Sequence, residues 1–311
     1  MTLDDVAIAR LRAAVLGWYD RQARAFAFRG IHDPYAILVS EVILQQTQAS
    51  RGEPAWRVFM ARFPTIEALA SAPAADVLRQ WSGLGYNRRA LNLQRAAKAI
   101  VEQHGGQVPD DLAALEALPG VGPYTARAVA AIAFGRPVGP VDTNVRRVLG
   151  RVVAGHGGIR DPGQPMPPRD LQGLADALVP AKRPADWTAA LMDIGATICR
   201  PLRPDCDACP VAVECRFATA NMHPRDAAAA RAAGRARRRV AERAAPYEAT
   251  NRWLRGRIMA RLSAAPGDAW TTIDAPLGSH GPEALAAALS VLRSEGLVET
   301  NGSGGWRLPA D

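Results

Sequence analysis

The chain is 311 residues long and 48% hydrophobic, with a formal net charge of +8 and a pI near 9.9. That length allows two or three domains with real cores and excludes a small scaffold dependent on disulfide staples. The basic excess suits a polyanionic partner, although a solvated basic tail accounts for part of it; the absence of a charged leader and of any membrane-length apolar run leads us to expect a soluble, cytoplasmic protein without a membrane partner.

Apolar residues recur at helical spacing over 11–19, 34–48, 54–63, 74–81, 89–103, 112–118 and 124–134, with Gly or Pro in the gaps. Further helices are expected at 143–153, 169–178 and 187–197. The stretch 225–243 is rich in Ala and Arg and has little to bury, so it reads as an exposed helix or linker. After it, 253–262 and 282–294 read as helices, and 297–300 with 305–308 as a hairpin around Asn301-Gly302-Ser303-Gly304. The expected fold class is all-α, ending in a small winged-helix-like module.

The turn Leu118-Pro-Gly-Val-Gly122 joins two helical segments. Gly120 and Gly122 permit backbone shapes that a Cβ obstructs, and Pro123 sits where a helix begins and its missing N–H costs nothing. Bare amides with a helix dipole behind them suit a phosphate oxygen; an ordinary helix hairpin also fits. A second glycine pair, Gly83-Leu84-Gly85, precedes Tyr86-Asn87-Arg88-Arg89, and two such turns on a basic chain favour gripping of a DNA backbone.

Glu41 lies in an apolar helical stretch with Ile37, Leu38 and Leu44 three and four residues away. A carboxyl desolvated there has its pKa raised, as a general acid near neutral pH requires; pairing with a buried Arg is the equal alternative. Gln45-Gln46-Thr47-Gln48 beside it can contact polar DNA groups or cap a helix end. Asp142, before the expected helix 143–153, is either an N-cap or the second carboxylate of a pair, and glycosidic cleavage uses such a pair: one acid for the leaving group, one anion for the developing sugar cation.

Cys199, Cys206, Cys209 and Cys215 are the only cysteines and fall within seventeen residues, with Pro201, Pro204 and Pro210 bending the backbone between them. Thiols this dense can hold one metal centre, either an iron-sulfur cluster or a structural zinc.

Four motifs in this order, Ser40-Glu-Val-Ile-Leu-Gln-Gln-Thr47, Leu118-Pro-Gly-Val-Gly-Pro-Tyr-Thr125, Val141-Asp-Thr-Asn-Val145 and the cysteine spacing, resemble the helix-hairpin-helix DNA glycosylase superfamily, specifically the adenine glycosylases of the MutY type. The resemblance runs from about Leu11 to Cys215. It implies a [4Fe-4S] cluster on the four cysteines, and removal of adenine mispaired with 8-oxoguanine or guanine from double-stranded DNA by a protein taken as a monomer. It implies Glu41 as the acid that protonates adenine N7 and handles the water, Asp142 as the stabilising anion, and Tyr124 and Asn144 as supports. Gln46, Thr47, Leu84 and Tyr86 match residues that enter the duplex around the estranged base, Arg29 a pocket-lining arginine, and Gly120 and Gly122 the phosphate grip.

Relatives that also cut the strand place a Lys nucleophile at the position of Tyr124; this chain has only Lys98 and Lys182, so a monofunctional enzyme is expected. The implied organisation is a cluster subdomain from 1–30 and 136–220, a six-helix subdomain at 31–135, a linker at 221–248 and the winged module at 249–311. Phe26-Ala-Phe-Arg29 replaces the family's common Leu-Pro-Trp-Arg, and the residues after Tyr247 are too few for the Nudix-like domain that many members carry, which marks a short form. A thymine or uracil mismatch glycosylase on the same scaffold, or a non-catalytic iron-sulfur DNA-binding or redox-sensing protein, are the alternative readings.

Overall fold

The computed structural model describes residues 4–156, 166–221, 246–267 and 269–310, so the stretch 225–243 expected as helix or linker lies outside them. The described chain is helical almost throughout and divides into two compact units. One comprises 1–37, 110–112 and 122–242; the other comprises 38–109, 113–121 and 243–311.

In the first unit, α1 (Asp5–Gln22) starts where the Asp4 carboxylate accepts the Ala7 N–H at 2.7 Å. Helix α8 (Pro123–Ala133) and α11 (Pro184–Thr197) both begin on prolines, whose fixed φ suits a first turn. Helix α9 (Thr143–Leu149) continues into a π-helical turn, Gly150–Ala154; α10 (Pro168–Leu178) and α12 (Arg216–Asn221) complete the unit. Helix α11 is central and packs on α1, α8 and α9. Its Trp187, Leu191 and Ile194 share one core with Leu11, Val15, Val145, Val148, Leu149 and Leu178.

A buried carboxylate ties this unit's N-terminal segment down. Asp193, on α11 and 0% exposed, accepts the Arg24 Nε–H at 2.7 Å and both terminal nitrogens of Arg29 at 2.8 and 2.7 Å. Arg29 also donates to the Tyr19 hydroxyl at 3.0 Å. Burial pulls the Arg29 guanidinium down, but the hydrogen bonds and charge of Asp193 outweigh it and hold the group above its usual pKa.

Helix α2 (Pro34–Leu44) carries the chain from the first unit into the second. The second unit continues with α3 (Ala49–Arg62), α4 (Ile66–Ala70), α5 (Ala74–Gln80), α6 (Arg88–His104) and α7 (Leu112–Ala117). Phe59 packs against Phe63 and Trp81 with centroids 5.0 and 5.9 Å apart, and Leu69, Leu93 and Ile100 are buried with them. The same unit holds α13 (Asn251–Ala264) and α14 (Pro282–Ser294), which pack on each other, and α13 also packs on α5. Strands β1 (Thr271–Thr272), β2 (Glu299–Thr300) and β3 (Gly305–Arg307) form an antiparallel sheet in the order β1-β3-β2, with Thr271 opposite Trp306 and Glu299 opposite Arg307. The expected hairpin is β2 and β3; the third strand was not foreseen.

Two boundaries depart from the sequence expectation. Helix α2 stops at Leu44 rather than reaching Gln48, because the Arg89 guanidinium takes up the carbonyls of Val42, Ile43 and Gln45 that a further turn would have used. Helix α3 starts at Ala49 rather than at Pro54, since the Gln48 carbonyl already accepts the Arg51 and Gly52 N–H groups at 3.0 and 2.8 Å, and Pro54 is accommodated inside it.

Asp193→Ala would leave the half-buried Arg29 without its counter-ion and is expected to cost about 3 kcal/mol of stability, measured by denaturant unfolding. A loss under about 1 kcal/mol would mean that the ion pair does not anchor the segment.

Candidate active site and cysteine centre

In the first unit the four cysteines lie around one small cavity, which Val148, Arg151, Ile194, Ile198 and Phe217 also line. All four are free thiols, Cys199 and Cys215 buried and the other two half-buried. As they stand, no three His, Cys, Asp or Glu side chains among the described residues are arranged to hold a single metal ion. Burial first, then the charge of neighbouring thiolates, pushes the thiols of Cys206 and Cys215 up and that of Cys209 to about 12. Iron or zinc would displace those protons on binding.

Two buried arginines bond to Cys199, and one of them, Arg151, lines the cavity. Arg151, 1% exposed, lies 4.6 Å from the Phe217 ring centroid and donates to the Cys199 sulfur at 3.5 Å and the Arg200 carbonyl at 2.9 Å. Arg147 donates to the carbonyls of Cys199 and Gly195, both at 2.7 Å, and to the Asn144 side-chain oxygen at 2.9 Å. Asn144 in turn donates to one carboxylate oxygen of Asp142 at 2.8 Å, while the other accepts the Val145 N–H at 2.7 Å. Asp142 is thus the N-cap of α9, and a continuous chain of hydrogen bonds links its carboxylate to the backbone of the first cysteine. Gly195 admits the contact: a Cβ there would lie 2.6 Å from the Asn144 Cβ. Tyr124, in the first turn of α8, points its hydroxyl at the Met192 sulfur, 3.8 Å away. Arg29 is engaged by Asp193 and Tyr19, with its side chain 17% exposed.

In the second unit Glu41 sits on α2, 7% exposed and flanked by Val39, Val42 and Ile43, each buried. The chain then turns with Gln46 in the left-handed region, φ 57°, which leaves Gln46 exposed and Thr47 half-buried. Among the described residues Tyr86 is the other non-glycine residue with positive φ, at 49°, and is 47% exposed. Both conformations are costly for a residue with a Cβ. One side chain holds both turns. Arg89 donates to the carbonyls of Val42, Ile43 and Gln45 at 2.8, 3.1 and 2.5 Å, and to those of Leu84 and Gly85 at 3.4 and 3.0 Å. Burial among these dipoles lowers its pKa to about 10, so it stays charged at neutral pH.

Gly120, exposed with φ 78°, lies against α6 so closely that a Cβ would meet the Asn92 Cβ at 2.6 Å. Gly120, Asn92, Arg89, Gln45 and Val42 line a common small cavity. Gly122 belongs to the first unit, where it is the N-cap of α8 with φ −96° and its carbonyl accepts the Ala126 N–H at 3.0 Å.

The structure thus gathers Gln46, Thr47, Leu84, Tyr86 and Gly120 around Arg89 and Asn92 in one unit, and Asp142, Asn144 and the four cysteines around Arg147 in the other. Sequence reasoning missed Arg147 and Arg151 as positioning groups and noted Arg89 only as part of the run after the second glycine pair. Their one visible signal is position, four apart on one helical stretch and directly after a glycine turn.

Comparison with known proteins agrees with this architecture. The profile of the HhH-GPD superfamily base excision DNA repair proteins matches residues 39–162. The adenine DNA glycosylase of Mycobacterium tuberculosis is 43% identical over 254 residues, 81% of this chain and 78% of the relative. That of Mycolicibacterium smegmatis is 38% identical over 299 residues, 96% of this chain and 95% of the relative. Among solved structures, a thermostable thymine-DNA glycosylase aligns with a TM-score of 0.62 at 30% identity, covering 69% of this chain and 98% of that one. The chain belongs to the HhH-GPD superfamily of base excision DNA repair proteins and, within it, to the adenine DNA glycosylase family.

The two hairpin glycines should respond differently to a methyl group. Gly120→Ala meets both the Asn92 Cβ and an unfavourable φ and is expected to destabilise by about 1–3 kcal/mol, whereas Gly122→Ala, with nothing within 4 Å of the new Cβ, should change the melting temperature little. Equal tolerance of the two in thermal unfolding would contradict this reading.

Proposed function

We propose that the chain is a monofunctional adenine DNA glycosylase of base excision repair, hydrolysing the N-glycosidic bond of adenine mispaired with 8-oxoguanine or guanine in duplex DNA. The observation that carries this reading is the identity of 38–43% to adenine DNA glycosylases along most of both chains, together with a glutamate 7% exposed in an apolar helix. A basic chain with a net charge of +8 suits the polyanionic substrate.

Glu41, in its apolar surroundings, acts as the general acid: it protonates N7 of the extruded adenine, the C1′–N9 bond breaks, and adenine leaves carrying that proton. Asp142, its two oxygens oriented by Asn144 and the Val145 amide, stabilises the positive charge that develops on the sugar. The now ionised Glu41 accepts a proton from the water that attacks C1′, which restores the acid and leaves an abasic site. Tyr124 offers no amine for a Schiff base, so the sugar–phosphate strand stays intact. Gln46, Thr47, Leu84 and Tyr86 enter the duplex around the vacated position, and the amides at Gly120 and Gly122 hold a backbone phosphate. Arg29 borders the base pocket.

Membership of the adenine glycosylase family supports a [4Fe-4S] cluster on the four thiols, which line one cavity and are the donor type such a cluster takes. Cys199, Cys206, Cys209 and Cys215 would each ligate one iron, and the bound cluster would supply iron–thiolate bonds that brace the loop to which Arg147 is anchored.

The test uses duplexes that differ at one pair: adenine opposite 8-oxoguanine, adenine opposite guanine, and thymine or uracil opposite guanine. The expected result is release from the adenine duplexes, with strand breakage only after alkali and heat. Glu41→Gln is expected to slow release by about 10²–10⁴-fold while largely sparing duplex affinity. Full activity of that variant would remove Glu41 from the acid role, and release of thymine or uracil without adenine would overturn the assignment.

A further inference from the structure

The C-terminal helices share a compact unit with the glycine turn that carries Tyr86, and Arg252 reaches that ring. Helix α13 carries four arginines, Arg261 in its last turn and three nearer its start at 252, 255 and 257. Two are engaged within the module: Arg255 pairs with Glu295, and the Arg257 guanidinium lies 5.8 Å from the ring centroid of Trp253. The third, Arg252, is exposed and lies 4.7 Å from the centroid of the Tyr86 ring. Arg89 lies 5.8 Å from the same centroid, so the ring contacts one cation inside the protein and one at its surface. The module is held in place around this contact, because α13 packs on α5 and Arg79 donates to the Gly267 carbonyl in the segment after α13. Thr250 caps α13 two residues before Arg252, accepting the Trp253 N–H at 3.3 Å.

We propose that Arg252 is a positioning residue for the wedge: it holds the Tyr86 ring ready for insertion and, once the ring enters the duplex, binds the adjoining phosphate. The C-terminal module is thereby part of the DNA-opening apparatus rather than an appendage. This rests on the glycosylase reading, in which Tyr86 enters the stack. A guanidinium attracted to a ring through its π-face keeps its in-plane N–H donors for an anion, which a lysine ammonium does less well. A tyrosine 47% exposed and in a left-handed conformation gains orientation from such a contact.

The experiment follows 2-aminopurine placed beside the mispaired adenine of an adenine–guanine duplex, whose fluorescence rises when its neighbour unstacks. Wild type, Arg252→Ala, Arg252→Lys, Tyr86→Ala and the double variant Arg252→Ala/Tyr86→Ala are compared in stopped flow, with melting temperature and salt dependence of binding measured alongside. Arg252→Ala is expected to lower the unstacking amplitude or rate by about fivefold and to reduce the salt slope by about one. Arg252→Lys should recover part of the loss, and the double variant should fall no further than Tyr86→Ala alone. Wild-type unstacking and salt slope in Arg252→Ala, or losses that add to those of Tyr86→Ala, would overturn the proposal. So would a lowered melting temperature with no recovery in Arg252→Lys, which assigns Arg252 a purely structural role. If wild type releases no adenine yet Arg252→Ala loses unstacking and salt slope as expected, the glycosylase reading fails and the wedge role stands; active wild type with indifferent Arg252→Ala is the reverse.

Discussion

Arg89 delivers one buried positive charge to five backbone carbonyls on two separate turns, the end of α2 and the segment before α6. Helix carbonyls left without N–H partners carry the negative end of the helix dipole, so a guanidinium placed there both satisfies and stops the helix. Gln46 in the first turn and Tyr86 in the second adopt left-handed conformations, which together cost on the order of a few kcal/mol and persist only under such a hold. Without it, α2 would run on, and the residues proposed to enter the duplex would lie along a helix face instead of projecting from a turn.

The same device recurs through the molecule. Arg12 closes the end of α10 by donating to the carbonyls of Ala177, Leu178 and Val179, and Arg147 does so at the end of α11 through Gly195 and Cys199. Arg151 collects Arg200 and Pro201 beside the cysteines. A rigid fork of five donors suits several carbonyls at once where an ammonium does not. Through Arg147 and Asn144, the cysteine loop and the Asp142 carboxylate form one hydrogen-bonded structure. Disturbing the loop therefore disturbs the orientation of the anion, without any direct contact between them.

Helical periodicity carried most of the fold, because apolar spacing reports burial directly. The helices at 74–81, 169–178 and 282–294 lie within a residue or two of their observed limits. What sequence left hidden was decided by single long-range contacts. Nothing local in Gln45-Gln46-Thr47-Gln48 distinguishes a last helical turn from an open one; Arg89, more than forty residues away, decides it. Strand β1 is two residues long and exists only because β3 offers an edge. Buried arginines were misjudged for a general reason: among 38 Lys and Arg residues, those that bind carbonyls look like those that face water. The motif residues were legible because each needs a particular chemistry, a thiol, a carboxyl or a missing Cβ, whereas positioning groups need only a fit.

The central claim, that one guanidinium shapes both turns, is tested most directly by amide hydrogen exchange in Arg89→Met, which keeps an apolar stem and removes the charge. The Gln45, Thr47 and Leu84 amides, hydrogen-bonded to Glu41, Leu44 and Trp81, report the two turns. The account expects all three to lose protection together while the core of α6 around Leu93 and Ile100 keeps its own. Wild-type protection at both turns, or loss at one without the other, would contradict it.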